Sequence, residues 1–235
     1  MQRLKWMKPL LPGTHLVPRL LACLGAAIGI ALTVFLCRQF PLSDVPFIVA
    51  PIGASAVLVY AVPASPLAQP WSVVGGNILS TLVGVATAKV VPDVALAAGL
   101  AVGGAIFAMS AFRCLHPPGG AAALTAVIGG PVVHAAGFGF AFAPVAINSI
   151  ALVSLGMFFH RATGHSYPHQ APLPAQQIDA LRAAAGFQVE DIDKALDELP
   201  DSIDISRDDL DLLLARAEAY ARERHRGALA LPPSG

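Results

Sequence analysis

Four apolar runs, each close to twenty residues long, constrain the fold of this 235-residue chain more than any other feature. At about 1.5 Å per residue, a helix of that length spans a hydrocarbon core about 30 Å thick. Because the bilayer offers no partner to backbone N–H and C=O groups, such runs predict helices. The runs are Leu20–Cys37, Trp71–Val91, Val94–Phe112 and Ala141–His160. With 55% hydrophobic and 13% charged residues, the composition excludes an ordinary soluble domain.

Two further apolar segments, Val45–Val62 and Pro117–Ile128, are shorter and contain proline and glycine. Short interrupted segments at matching places in two halves of a membrane protein point to a transporter's binding site. The predicted fold is therefore an all-α polytopic transmembrane bundle with a small C-terminal helical tail. It has four full spans and two short segments that either cross the membrane or are re-entrant.

The order of motifs predicts two weakly similar units, each made of a span, a broken segment and a span. The matching pairs are Gly25/Gly29 with Gly99/Gly103, Pro51–Leu58 with Pro117–Leu124, and Asn77 with Asn148. Six crossings would make the two units inverted, whereas four would make them parallel. The alternative is that small-residue membrane helices resemble each other by composition alone. We expect both GxxxG pairs to be sites of close helix packing.

Charge is segregated along the chain. Residues up to Gly164 contain eight Lys and Arg against two acids, a net charge of +6, and the rest contains seven against thirteen, a net charge of −6. Ser206 and Asp209 predict the N-cap of a helix in this acidic tail. The predicted domains are a basic tail (1–19), a transmembrane domain (20–164), a linker (165–174), an acidic helical hairpin (175–226) and a disordered end (227–235). Because basic flanks stay on the cytoplasmic side, we predict an inner (plasma) membrane protein with both termini cytoplasmic.

The segment from Arg113 to Thr125 places a cation, an imidazole, two prolines and two glycines within membrane-grade sequence. A helix that starts at Pro117, or at Pro51 in the other unit, would direct free backbone N–H groups at one point, which favours an anion. The alternative is that these residues only form a kink and a tight packing contact. The predicted substrate-binding residues are His116, Pro117, Pro118, Gly119, Gly120, Arg113, Pro51, Gly53, Ser55, Asn77 and Asn148.

Several of these residues have a structural role as an alternative. His116 could bind an anion or gate by protonation, or it could cap a carbonyl freed by the prolines. Arg113 could be a ligand at the pathway mouth or could extend to the membrane interface. Asn77 and Asn148 could face a pathway or could bond neighbouring helices.

The sequence contains no phosphate-binding glycine loop with a lysine, no HExxH motif and no GxSxG motif. We therefore predict a protein that is not an enzyme, with no catalytic residue, no cofactor, no metal site and no nucleic-acid partner. The expected partners are a small anion, the lipid bilayer and further copies of the chain, because the GxxxG faces and the tail helices offer contacts.

Three motifs, Pro51–Ala56, Pro66–Pro70 and His116–Gly120, resemble the HPP family of integral membrane proteins, which is named for its His-Pro-Pro. The resemblance covers roughly Leu20 to His160 and implies four transmembrane spans. Plastid and cyanobacterial members are known as nitrite transporters. The resemblance thus implies a transporter or channel for a small inorganic anion, nitrite first, that binds at the Pro/Gly helix starts beside His116. The alternative is a membrane scaffold or sensor subunit that does not transport and whose acidic tail binds a partner.

Overall fold

The computed structural model describes residues 16–40, 45–170, 188–198 and 204–229, and within these ranges the protein is helical and has no strands. The apolar part contains α1 (Leu16–Cys37), α2 (Pro51–Ala61), α3 (Pro70–Val90), α4 (Val94–Ala111), α5 (Pro117–Ile128), α6 (Gly130–Ala136) and α7 (Ile147–Ala162). The tail contains α8 (Val189–Asp197) and α9 (Arg207–Leu229). A 3₁₀ turn at Pro66–Ala68 precedes α3, and the stretch Ala141–Ala146, which is kinked at Ala143, leads into α7. The predicted all-α polytopic bundle is confirmed.

Among the described residues, α1, α3, α4 and the stretch Ala141–Ala162, which is kinked at Ala143, are long and apolar enough to cross a membrane. They match the four predicted spans to within about one helical turn. α5 and α6 together also meet this test, but they bend by 100° where they join. α2 is a shorter apolar helix of 11 residues. The chain is therefore a multi-pass membrane protein with long and short helices.

Proline determines where three helices begin. Pro51, Pro70 and Pro117 stand in the first turn of α2, α3 and α5, where a backbone N–H has no partner within the helix. α4 is capped instead by Asp93, whose carboxylate accepts a 2.8 Å hydrogen bond from the backbone N–H three residues on. The predicted segment Val45–Val62 is accordingly helical only from its second proline.

α2 ends at the same end of the bundle as the start of α1 and the end of α7. His160, near the end of α7, lies 2.8 Å through Nε2 from the carbonyl oxygen of Val59, near the end of α2. The phenyl ring of the residue before His160 packs against Gly25 in the first half of α1. At the other end of α7, Asn148 donates to Cys37 Sγ, at the end of α1, over 3.0 Å. α1 and α7 are therefore antiparallel, and α2 runs in the direction of α7.

α5 runs the opposite way. Lys89, at the end of α3, lines a cavity together with Ala126, near the end of α5. A Cβ added to Gly137, just before the stretch that leads into α7, would lie 3.7 Å from Lys89 Nζ. This end of the bundle is opposite His160, because α7 starts here and ends there. α2 and α5 therefore point in opposite directions, which is the relation expected of inverted units.

The two GxxxG pairs differ in their surroundings. A Cβ added to Gly25 would lie 2.6 Å from the Phe159 ring, and one added to Gly29 would collide with the Tyr60 hydroxyl. By contrast, a Cβ at Gly99 or Gly103 would meet nothing within 4 Å in the described part of the chain, and both glycines lie on the exposed side of α4. The prediction of close packing is confirmed for the first pair and is wrong for the second within this chain.

The chain divides into two compact units, and the second contains Ala64–Pro66 and the chain from His169 onward. In this second unit, the backbone N–H of Gln188 donates to Asp191 over 2.8 Å in a capping box that starts α8. The Ser206 hydroxyl accepts a 3.1 Å hydrogen bond from the backbone N–H of Asp209, so the predicted N-cap of α9 is confirmed. The predicted tails, linker and hairpin lie partly outside the described residues, and the predicted domain boundaries stay predictions.

Candidate functional site

His116 connects three segments in the interior of the bundle. It precedes the two prolines that start α5, and its side chain is fully buried. Its Nδ1 lies 2.8 Å from the carbonyl oxygen of Leu67, in the turn before α3. Because a carbonyl only accepts, Nδ1 carries the proton in this bond. Its Nε2 lies 2.8 Å from the Ser55 hydroxyl on α2. The capped carbonyl therefore belongs to another segment and is not one freed by the prolines.

The contact between His116 and Ser55 extends into a cluster of buried polar side chains. Asn77 on α3 donates through Nδ2 to the Ser55 hydroxyl and to the Ser149 hydroxyl on α7, each over 3.2 Å. Ser80 lies three residues after Asn77, on the same face of α3. All five side chains are shielded from solvent. We call this set, His116, Ser55, Asn77, Ser80 and Ser149, the polar cluster.

Two atoms of the polar cluster lack a hydrogen-bond partner among the described residues. They are Asn77 Oδ1 and Ser80 Oγ. A buried polar atom without a partner costs about 1–3 kcal/mol of stability. Most buried polar atoms in proteins are satisfied, so each exception requires an explanation. A bound ligand with hydrogen-bonding atoms is one such explanation.

Glycines allow α5 to begin directly against α3. A Cβ added to Gly76 would lie 2.7 Å from both the carbonyl oxygen of Cys114 and the Cβ of His116. One added to Gly119 would lie 2.6 Å from Ser80 Oγ. The absence of side chains at these two positions therefore brings His116 and the start of α5 against the polar face of α3.

The starts of α2 and α5 meet at the polar cluster, but their backbone N–H groups are occupied. Pro117 and Pro118 have no N–H, and the N–H of Gly119 donates to the His116 carbonyl over 2.8 Å. In α2, the N–H groups of Ile52 and Gly53 donate over 3.0 Å to carbonyls three residues back. The expectation of free amides is therefore wrong, because 3₁₀-type bonds satisfy the first turns. What the helix starts still contribute is the positive end of their dipoles.

Of the residues predicted to bind substrate, His116, Ser55, Asn77 and Gly119 come together here. Pro51 and Pro118 are buried in the first turns of the two helices, whereas Pro117 is exposed.

Four other predicted residues lie elsewhere. Arg113 is exposed in the turn after α4. Gly53 is exposed, with nothing within 4 Å of an added Cβ in the described chain, and Gly120 has only a side-chain methyl of α4 at 3.9 Å. Asn148 is buried but holds the segment before α2: it accepts from the Val49 N–H over 3.0 Å and donates to the Phe47 carbonyl over 2.8 Å. Asn148 therefore fits its structural alternative of bonding neighbouring segments.

Three members of the site were not among the sequence predictions: Ser80, Ser149 and the Leu67 carbonyl. The sequence holds a weak signal for Ser80, which lies three residues after Asn77 on the same helical face, but none for Ser149, because adjacent helix residues point in different directions. The Leu67 carbonyl has no such signal. Within the described ranges, no three His, Cys, Asp or Glu side chains are grouped closely enough to hold a metal ion.

Tyr167 positions the turn that carries the Leu67 carbonyl. It lies beyond the end of α7, and its hydroxyl donates to the Ala68 carbonyl over 2.8 Å. Burial, and to a smaller extent the nearby Tyr60, raise the pKa of the Tyr167 hydroxyl. The hydroxyl therefore stays protonated and remains a donor. The turn that reaches His116 is thus fixed from its far side.

Comparison with known proteins agrees with this architecture. The family model described as "HPP, transmembrane region" matches residues 12–168. Two proteins of Dictyostelium discoideum, each described as a transmembrane protein, are 37% identical to this chain over 127 and 121 residues. The matches cover 52% and 49% of this chain but only 40% and 42% of the relatives, so the chain spans about two fifths of the length of these curated relatives. No solved structure matches the chain.

Proposed function

The chain belongs to the HPP transmembrane-region family, and from that membership we propose that it is a transporter or channel for a small inorganic anion, with nitrite as the first candidate. The observation that supports the proposal is the polar cluster at the meeting point of two oppositely directed helix starts. Two of its buried atoms, Asn77 Oδ1 and Ser80 Oγ, have no partner in the described chain. The proposal includes no enzymatic activity and no cofactor.

The polar cluster can offer several donors to an anion. The Ser80 hydroxyl has its proton available. Asn77 can turn its amide over, because the Ser149 hydroxyl donates as well as accepts, while the Ser55 hydroxyl keeps its proton on His116 Nε2. After that rotation Asn77 Oδ1 accepts from Ser149, and its NH₂ group faces the position that Oδ1 occupies now. A small anion whose oxygens only accept would then satisfy both the amide and Ser80.

The strength expected of this site suits transport. Each helix start contributes about 0.3–1 kcal/mol toward an anion, and up to about 2 kcal/mol when partly buried. No Lys or Arg belongs to the polar cluster, so the anion would be held by neutral donors and helix dipoles. Conduction requires binding that is favourable enough for entry and weak enough for release. A neutral site for a small anion meets both requirements.

We expect Ser80→Ala to separate function from stability. Removing an unpartnered buried hydroxyl should leave the free energy of unfolding unchanged or slightly higher. A hydrogen bond to a charged group contributes about 1.5–3 kcal/mol, so the anion concentration that gives half-maximal flux should rise about tenfold or more. The measurement is nitrite uptake into proteoliposomes, with nitrate, formate and chloride in parallel, and thermal unfolding of the same preparations in detergent.

The matched control is Ser110→Ala, because Ser110 is exposed on α4 and its hydroxyl bonds only the carbonyl one turn back. This variant should transport like the parent. Equal nitrite kinetics in the parent, Ser80→Ala and Ser110→Ala would remove Ser80 from the proposed site.

A scaffold or sensor subunit is the second candidate function. The observation that favours it is the acidic tail, which forms a unit of its own with capped helices. Truncation after Pro168 separates the two functions and keeps Tyr167 in place. A transporter should retain its flux after this truncation, whereas a scaffold should lose its partner in pull-down experiments. If the truncated protein lost its flux but still captured its partner, the tail would be needed for transport and would not be the partner's binding site. That result would contradict both expectations.

We further propose that both ends of the transmembrane unit emerge at the cytoplasmic face of the inner (plasma) membrane. The start of α1 and the end of α7 lie at the same end of the bundle and line a common cavity. Arg19 near the start of α1 and Arg161 near the end of α7 lie at this end, and further basic residues precede α1 in the sequence, which supports the cytoplasmic side for it. We also propose a homo-oligomer, for which the exposed glycine face of α4 offers a surface that allows close approach of a helix.

A further inference from the structure

Two cavities lie at opposite ends of the transmembrane unit. The first, about 180 Å³ in volume, is lined by the ends of α3 and α5 and by α6, and includes Lys89, His134 and Ala126. The second, about 170 Å³, is lined by the start of α1 and the ends of α2 and α7, and includes Tyr60 and His160. We call them the Lys89 cavity and the His160 cavity. Their opposite placement follows from the opposite directions of α2 and α5.

The two cavities occupy equivalent places in the two units. Lys89 follows Asn77 by twelve residues, and His160 follows Asn148 by the same twelve. On the short helices, Ala126 and Tyr60 each stand nine residues after the proline that starts the helix. Corresponding positions of both repeats therefore line the two cavities. This correspondence supports a common role for the two cavities.

The Lys89 cavity carries an uncompensated positive charge. In the described part of the chain no carboxylate lies within 4 Å of Lys89 Nζ, which sits 5.8 Å from the centre of the Phe138 ring. His134 donates through Nε2 to the Val127 carbonyl over 2.9 Å, which fixes its ring at the cavity wall. Both side chains are exposed, so the cavity is open at this end of the bundle.

Two residues that line the His160 cavity each carry a buried polar atom without a partner among the described residues. His160 donates through Nε2 to the Val59 carbonyl, and its Nδ1 has no partner among the described residues. The Tyr60 hydroxyl also has none, although Tyr60 is 3% exposed and His160 2%. Arg19 and His165 line the same cavity and add basic groups. A ligand here would meet the basic side chains of Arg19 and His165.

The face of α3 that carries the polar cluster continues to the Lys89 cavity, and between the two it packs closely against α5 at Gly84. Asn77, Ser80, Gly84 and Ala88 follow each other at helical spacing, and Ala88 lines the cavity. The distance along the axis from Asn77 to Lys89 is about 18 Å at 1.5 Å per residue. A basic group at a cavity mouth raises the local concentration of anions and speeds their entry.

We infer that the Lys89 and His160 cavities are the two outer anion sites of one pathway whose middle is the polar cluster. This inference rests on the proposed transport function. The ligand is a small oxygen-bearing anion, and a lipid headgroup phosphate has the same chemistry. The two sources are separated by the lipid composition of the test membranes.

The test measures nitrite flux by the variants Lys89→Cys and His165→Cys. Each variant is treated with one of two membrane-impermeant methanethiosulfonates, a cationic reagent with a trimethylammonium group or an anionic reagent with a sulfonate group. Spheroplasts expose one face of the membrane to the reagent, and inside-out vesicles expose the other face. Loss of the Lys89 charge should raise the half-saturating nitrite concentration about threefold. This is the effect expected in water when one positive charge about 7 Å from the bound anion is removed. The cationic reagent should restore the parent value, and the anionic reagent should raise it further. Nitrite flux by Lys89→Cys should change when the reagents are applied to one face of the membrane, and flux by His165→Cys should change when they are applied to the other face.

The matched control is Arg38→Cys. Arg38 is an exposed cation 5.7 Å from the centre of the Phe47 ring, and it lines neither cavity. Unchanged kinetics in Lys89→Cys, or a response from the same face for both cysteines, would overturn the inference while leaving transport by the parent intact. An effect of Lys89→Cys that appears only in vesicles with anionic lipid would assign the cavity to a headgroup and also overturn it. Absence of flux in the parent would instead refute the proposed function.

Discussion

Gly84→Ala is expected to lower the free energy of unfolding of the transmembrane unit by about 1–3 kcal/mol, the usual range for overpacking a tight contact. An added Cβ at Gly84 would collide with the backbone of α5: the carbonyl oxygen of Ala123 is closest, and the Ala123 Cα lies at 2.9 Å. Backbone cannot rotate away as a side chain can. The two helices must therefore separate, and the polar cluster, which lies nearer the start of α3, must shift with them.

The measurement is thermal unfolding in detergent, followed by the fraction of protein that stays monodisperse. Gly99→Ala is the matched control, since an added Cβ there meets nothing within 4 Å in the described chain. The same chemical change on a neighbouring helix should leave the midpoint unchanged or raise it slightly, because alanine favours a helix over glycine. If both variants unfolded at the parent temperature, the close contact between α3 and α5 would be contradicted.

His116→Ala is expected to abolish nitrite flux and also to destabilise the protein. The substitution leaves a cavity and removes the donor to the Leu67 carbonyl, and a buried acceptor without a partner costs about 1–3 kcal/mol. The Ser55 hydroxyl can turn to the Pro51 carbonyl, 3.2 Å away, so it keeps one acceptor. The start of α5 is then no longer tied to α2, and the donors for the anion lose their positions.

Destabilisation alone must be separated from loss of the site. Leu152→Ala supplies the control, because Leu152 is fully buried in the core on α7 and belongs to neither the polar cluster nor the two cavities. A buried Leu→Ala change costs about 2–5 kcal/mol, a penalty of the same order as the one expected of His116→Ala. Leu152→Ala should retain nitrite flux per folded molecule, measured in proteoliposomes at a temperature where both variants are folded. Equal loss of flux in the two variants would reduce His116 to a structural role.

Membrane helices were predictable from the sequence because length and hydropathy decide them locally. The bilayer thickness fixes the length of a span, and a proline in the first turn marks where a helix starts. α5 accordingly begins and ends at the predicted residues, Pro117 and Ile128. The directions of α2 and α5 were not predictable, since they depend on which helix ends share a neighbourhood.

The candidate site was only partly predictable, because equal residues in equivalent positions have different neighbours. Asn77 and Asn148 share a position in the two units, yet Asn77 faces the polar cluster and Asn148 bonds the segment before α2. Likewise Gly119 lies against α3, whereas Gly53 has open space beside it in the described chain. Sequence spacing determines the face of a helix, but tertiary packing determines what that face meets.

We propose that a small anion crosses the membrane through the polar cluster. The most direct measurement compares nitrite uptake by the parent and by Ser80→Ala in proteoliposomes that contain equal amounts of folded protein. We expect saturable uptake by the parent and a half-saturating concentration about tenfold higher or more in Ser80→Ala, without loss of stability. Absence of uptake by the folded parent for nitrite, nitrate, formate and chloride would refute transport through the polar cluster and favour the scaffold function.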